Sequence, residues 1–162
     1  MNNHLVQRYF KQYQELYGNT IYTNDIKKAS FNVLGSTNSK YVFIKKFSND
    51  KNEINIFYKI INALNMTEDN ILVIDCIGIE CQNNDKLISY LNKLTLNNII
   101  IMGQELSQNI LKTKDNIKKL SEKNNFLNKI KVIPTYSLKD IISNTDLKRS
   151  LWNDIKFLRN HE

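Results

Sequence analysis

Two cysteines, two histidines, four glycines and one proline are all that this 162-residue chain supplies of several site-building residue types. Cys76 and Cys81 are too far apart for a C-x-x-C redox or zinc motif, and no histidine lies near them. Both fall in or just after an apolar stretch, where free cysteine behaves as a small hydrophobe. Reduced structural thiols are therefore expected. His4 and His161 stand at opposite chain ends, where residues are usually mobile, which argues against a histidine-based triad. No glycine belongs to a G-x-G or Walker arrangement, so no glycine-rich phosphate loop is expected. No apolar run approaches the length needed to cross a bilayer. The opening MNNHLVQRYFKQYQ also lacks the uninterrupted apolar segment of a signal peptide. The expectation is a cytoplasmic protein with no membrane contact, metal or cofactor.

What is present suits one domain. The hydrophobic share of 41% is ordinary, and the length is enough to bury a core without disulfides or metal. The net charge of +7 comes from 23 basic against 16 acidic residues, a surplus that favours anionic surroundings, nucleic acid above all. Yet the lysines are scattered, as at Lys27-Lys28, Lys45-Lys46, Lys118-Lys119, Lys129 and Lys131. Scattered lysines are usually a solvated surface, so charge alone decides nothing.

Residues 4–17 place Leu5, Tyr9, Phe10, Tyr13, Leu16 and Tyr17 at mostly three- and four-residue steps. That spacing predicts an amphipathic helix with an unusually aromatic face. Gly18-Asn19 is a C-terminal stop, Thr20-Ile21-Tyr22-Thr23 reads as extended, and a polar stretch follows over 24–30. Residues 31–34 suit a short strand, and the turn cluster at 35–39 is clear. KYVFIKKF, over 40–47, begins the core as a β-branched and aromatic strand. Ser48-Asn49-Asp50 can cap a helix in which Ile54, Phe57, Tyr58, Ile61 and Leu64 share one face.

Ile71-Leu72-Val73-Ile74 is continuously apolar, as expected of a strand covered on both faces. A helix over 85–94 follows, and then the most hydrophobic strand, over 98–102. Gly103-Gln104 opens a short helix to residue 111. Its free amides suit an anion, although a satisfied structural turn is the plainer reading. Residues 112–128 are expected to be partly helical, with Ile117, Leu120 and Phe126 facing inward. A last strand over 130–133 leads to Ser137-Leu138-Lys139-Asp140, which has the spacing of a capping box. A closing helix over 146–159 would bury Leu147, Leu151, Trp152, Ile155 and Leu158. Alternating strands and helices predict a single α/β domain over residues 26–162, a three-layer sandwich around a central, mainly parallel four-stranded sheet. Residues 1–25 form a separate N-terminal segment.

The stretch VIPTYSLKDIISNTDLKRSLWNDIKFL, over 132–158, resembles the C-terminal end of the uracil-DNA glycosylase fold. Thr135-Tyr136, Leu147-Lys148-Arg149, Trp152 and Asp154 match that pattern. The reaction-bearing His-Pro-Ser, however, falls on Ser137-Leu138-Lys139. The first catalytic loop would fall on Lys45-Lys46-Phe47-Ser48-Asn49-Asp50, which has neither its glycine nor its proline. Asp50 is left there as a lone acid. Uracil excision needs a group that positions water or steadies the cationic sugar, and a donor for the departing uracil anion. The iron-sulfur members of that family need four cysteines, and this chain has two. No glycosylase activity is expected.

The same tail is more similar to the psi subunit family of DNA polymerase III, a relative of that fold without the chemistry. Leu138, Asp140, Ile141, Asn144, Lys148, Leu151-Trp152 and Ile155 carry this likeness. It implies a glycosylase-like α/β body and a non-catalytic bridge in bacterial DNA replication. In that family an N-terminal peptide docks on the clamp-loader ATPase subunits, gamma or tau. The body holds the chi subunit, which contacts single-stranded-DNA-binding protein. Tyr9, Phe10, Tyr13, Leu16, Tyr17, Ile21 and Tyr22 would be the anchor, since aromatic side chains dominate small interfaces. The alternatives are that this helix packs on its own sheet, that the chain is a divergent glycosylase using Asp50 and Ser137, or that it is a basic nucleic-acid-binding protein using Lys45-Lys46 and Lys139.

Overall fold

The structure is a computed structural model that describes residues 31–77 and 85–160. The expected N-terminal helix with all of its anchor residues, Tyr9, Phe10, Tyr13, Leu16, Tyr17, Ile21 and Tyr22, lies outside the described residues, as do Cys81 and both histidines.

Strand β1 (Phe31–Gly35) leads through a tight turn into β2 (Tyr41–Lys46), followed by helix α1 (Lys51–Ala63) and β3 (Leu72–Cys76). Helix α2 (Asp85–Leu91), β4 (Asn98–Met102), α3 (Gln104–Leu111) and the one-turn α4 (Ile117–Ser121) come next. The hairpin of β5 (Asn125–Leu127) and β6 (Ile130–Thr135) precedes α5 (Leu138–Ser143), α6 (Leu147–Ile155) and a 3-10 turn, Lys156–Asn160.

The sheet has six strands in the order β1-β3-β2-β4-β6-β5, where four were expected. The four inner strands, β3, β2, β4 and β6, are all parallel to their neighbours, whereas β1 and β5 pair antiparallel at the two edges. Both edge strands are short and only partly apolar, which is why the sequence shows them weakly. The inner strands are apolar without alternation because helices cover both faces. On one face Phe43, Val73, Ile100 and Ile133 pack with Phe57 and Ile61 of α1, Ile141 of α5 and Leu151 and Ile155 of α6. On the other, Val42, Ile44, Ile74 and Ile101 pack with Leu87 and Leu91 of α2 and Leu106 and Ile110 of α3.

Local signals explain most boundaries. Asp50 caps α1, its Oδ1 accepting the Asn52 N–H at 2.8 Å. Gly35 ends β1 at φ +86°, and a Cβ there would overlap the Ile71 carbonyl oxygen, so the turn requires glycine. Helix α2 stops at Leu91 because the next hydrogen bonds tighten, Lys93 to Tyr90 and Leu94 to Leu91. The closing helix likewise tightens into 3-10 geometry from Lys156.

Three burial expectations fail. Phe126 is 56% exposed, because the region is an edge hairpin rather than an inward helix. Trp152 and Leu147 are only partly buried against the core. Ile54 and Tyr58 are exposed, while α1 buries Phe57 and Ile61, with the following Leu64, and packs Ile56 and Ile60 partly against the core. Among the described residues no helix is long and apolar enough to cross a membrane.

Candidate functional site

Parallel strands deliver their carboxyl ends to one edge of the sheet, where ligands of open α/β sheets usually bind. In this chain a row of four residues crosses that edge in register. Asp75 of β3 stands opposite Lys45 of β2, Lys45 opposite Met102 of β4, and Met102 opposite Thr135 of β6.

Each polar member of the row is already paired. Lys45 Nζ lies 2.6 Å from Asp75 Oδ1, with both side chains nine-tenths buried, and sits 5.3 Å from the centre of the Phe57 ring. Oδ1 takes no well-directed hydrogen bond, so the attraction is between two charges rather than along one bond. Thr135 Oγ1 donates to Asp154 Oδ2 at 2.8 Å, tying β6 to α6. Half-burial pushes the Asp154 carboxyl above its ordinary range, an effect that the Thr135 hydroxyl partly opposes.

Above β2, β4 and β6 opens a cavity of about 420 Å³. Lys45, Lys46 and Lys139 line it, but so do Glu53, Glu105 and Asp140, so its charge is balanced. Ser137 reaches the cavity, where its hydroxyl is held by α5. Its Oγ lies 2.6 Å from Asp140 Oδ2 and accepts the Asp140 N–H at 3.1 Å. The capping box read from the sequence is formed in full. Asp50 is not brought to the cavity; it caps α1 outside it.

No described side chain caps the first turn of α3. The Gly103 N–H donates to the Thr135 carbonyl at 2.8 Å, and Gln104 Oε1 accepts the Ile117 N–H at 3.0 Å. Gly103 has φ +123°, and a Cβ added there would make only ordinary contact with Ser137, so it is the left-handed backbone that favours glycine at this junction. Of the residues singled out from the sequence, the cavity gathers Lys45, Lys46, Ser137 and Lys139 and leaves out Asp50. Among the described residues no three histidine, cysteine or carboxylate side chains form a metal site.

A second cavity, of about 320 Å³, shares Lys45, Phe47 and Ser48 with the first and runs between β1, β3 and α1. Leu34, Val73, Ile54, Phe57 and Tyr58 give it apolar walls. Tyr58 donates its hydroxyl to Glu68 at 3.2 Å, and this bond together with partial burial raises the phenol above its ordinary pKa. Sequence reading missed both the Lys45–Asp75 pair and this groove. The available signal is a single acid inside an otherwise apolar run, Ile71 to Ile77.

In comparisons with known proteins, no family model matches the chain, and no curated protein matches it.

Proposed function

We propose that the chain is a non-catalytic adaptor, psi-like, of the bacterial DNA polymerase III holoenzyme. Its aromatic N-terminal segment would grip the clamp-loader ATPase subunit, gamma or tau. Its body would hold a chi-like subunit and, through it, reach single-stranded-DNA-binding protein. The observation that carries this reading is the state of Ser137. At the position where the glycosylase likeness needs a donor for a leaving base, the hydroxyl is engaged by Asp140 as a helix cap.

Two further features support it. Four neighbouring parallel strands with helices on both faces are the body that the resemblance implies. Asp50, the one acid left in the first catalytic loop, sits in another cap. A glycosylase would need both groups aimed at a nucleotide. The nucleic-acid reading is weakened by the pairing of Lys45 with Asp75 and by the three acids in the same cavity.

An adaptor with these parts works by binding energy alone. Its anchor supplies rigid aromatic side chains for pockets on a partner, at low conformational cost. The test is recovery of the clamp-loader ATPase subunit on the immobilised chain, with and without residues 1–25. The full chain should retain the subunit and the shortened chain should lose it. Equal recovery by both would overturn the anchor. Release of uracil from a uracil-containing single strand would overturn the non-catalytic reading.

A further inference from the structure

The groove between β1 and α1 is an apolar surface that the described body leaves uncovered. Its floor is Leu34 beside Val73, which are paired in register, and its wall is the Ile54–Tyr58 ridge of α1, one helical turn long. Leu34 is 56% exposed, Tyr58 47%, Phe47 41% and Ile54 39%. Large apolar side chains gathered along one groove, rather than scattered singly, mark a surface that something covers.

The chain itself supplies a covering of the right kind. Thirty residues precede Phe31, and β1 is the strand that forms the floor of the groove. Because β1 runs antiparallel to β3, Phe31 lies opposite Cys76, at the sheet edge where Asp75 and Phe47 close the groove. Phe31, the first described residue, therefore stands beside the mouth of the groove. Residues 5–17 carry the apolar stripe Leu5, Tyr9, Tyr13, Leu16 and Tyr17. As a helix they would be about 20 Å long, the same length as the 13-residue α1 beside which they would lie. The intervening residues 18–30 can span about 43 Å when extended, enough to turn back along α1.

We infer that residues 5–17 seat in this groove in the free protein, laying their aromatic face against Leu34, Ile54 and Tyr58. The seat goes beyond the adaptor reading and stands without it. If both hold, the same face serves two surfaces, and a partner must lift it from the groove.

The test uses the full chain with Leu34→p-benzoylphenylalanine, illuminated at several dilutions and mapped by peptide mass spectrometry. The expected product is an intrachain crosslink to residues 5–22 whose yield does not change with dilution. Tyr58→p-benzoylphenylalanine should give the same product from the opposite wall, and Phe126→p-benzoylphenylalanine, at the far sheet edge, should not. Adding Ile54→Lys to the Leu34 variant should lower the crosslink yield at least tenfold. Crosslinks between two chains would make a second copy the occupant and overturn the seat. Absence of products in residues 5–22 from both walls, or a yield indifferent to Ile54→Lys, would overturn it as well. Recovery of the clamp-loader subunit is a separate readout, so the two ideas fail separately.

Discussion

Lys45 and Asp75 face each other across adjacent parallel strands at 2.6 Å, both nearly removed from solvent, with the Phe57 ring 5.3 Å from the ammonium. Lys45 of the pair lines both cavities and Asp75 the second. Removing one member leaves an uncompensated buried charge, which costs about 3–5 kcal/mol, whereas replacing both with apolar groups is often neutral or stabilising. Asp75→Ala should therefore lose about 3–5 kcal/mol in urea unfolding. Lys45→Met with Asp75→Leu should recover most of that loss. A single variant as stable as the parent would mean that the charges are not buried.

The half-burial of Asp154 predicts a pH dependence of definite sign. Burial raises the Asp154 pKa above its ordinary 3.8, so the folded chain holds this proton when the unfolded chain has lost it. That contribution is complete below the ordinary value and is lost as pH rises through the folded pKa. Asp154→Asn keeps an acceptor for the Thr135 hydroxyl and removes the titration. The urea midpoint of the parent should fall relative to Asp154→Asn as pH rises from about 4 to 7. A constant difference between the two would contradict the raised pKa.

Ser137→Ala removes the side chain that caps α5. Loss of such a cap costs about 1 kcal/mol, so a small drop in thermal midpoint is expected, with partner recovery unchanged. A drop in partner binding at constant stability would place Ser137 in an interface instead.

Gly35→Ala tests the turn between β1 and β2. The backbone there is left-handed, and the added carbon meets the Ile71 carbonyl. Left-handed strain alone costs about 1–3 kcal/mol. The variant should melt well below the parent.

Much of this fold is readable from residues. The inner strands announce themselves as unbroken apolar runs, and the caps at Asp50 and Ser137 appear where their spacing puts them. The edges do not. β5 is three residues long, and Phe126 looked like core because hydrophobicity alone cannot distinguish an edge strand from a helix face. The spacing predicts one stripe on α1, yet only Phe57 and Ile61 of that helix are deeply buried. Ile54 and Tyr58 line the groove beside β1 instead. The candidate site was half legible. Ser137 and Lys139 stand out in the sequence, but their meeting at one cavity, like the Lys45–Asp75 pair, depends on strand order, which no local pattern encodes.

The central claim is that the aromatic N-terminal segment makes this chain an adaptor. The most direct measurement is a titration of the clamp-loader ATPase subunit against the full chain and against a Tyr9→Ala, Tyr13→Ala, Tyr17→Ala variant. Interface anchors are worth about 2 kcal/mol each when truncated, roughly thirtyfold in affinity. The variant should therefore bind at least a hundredfold more weakly than the parent. Equal affinity of the two chains, or no binding by either, would contradict the account.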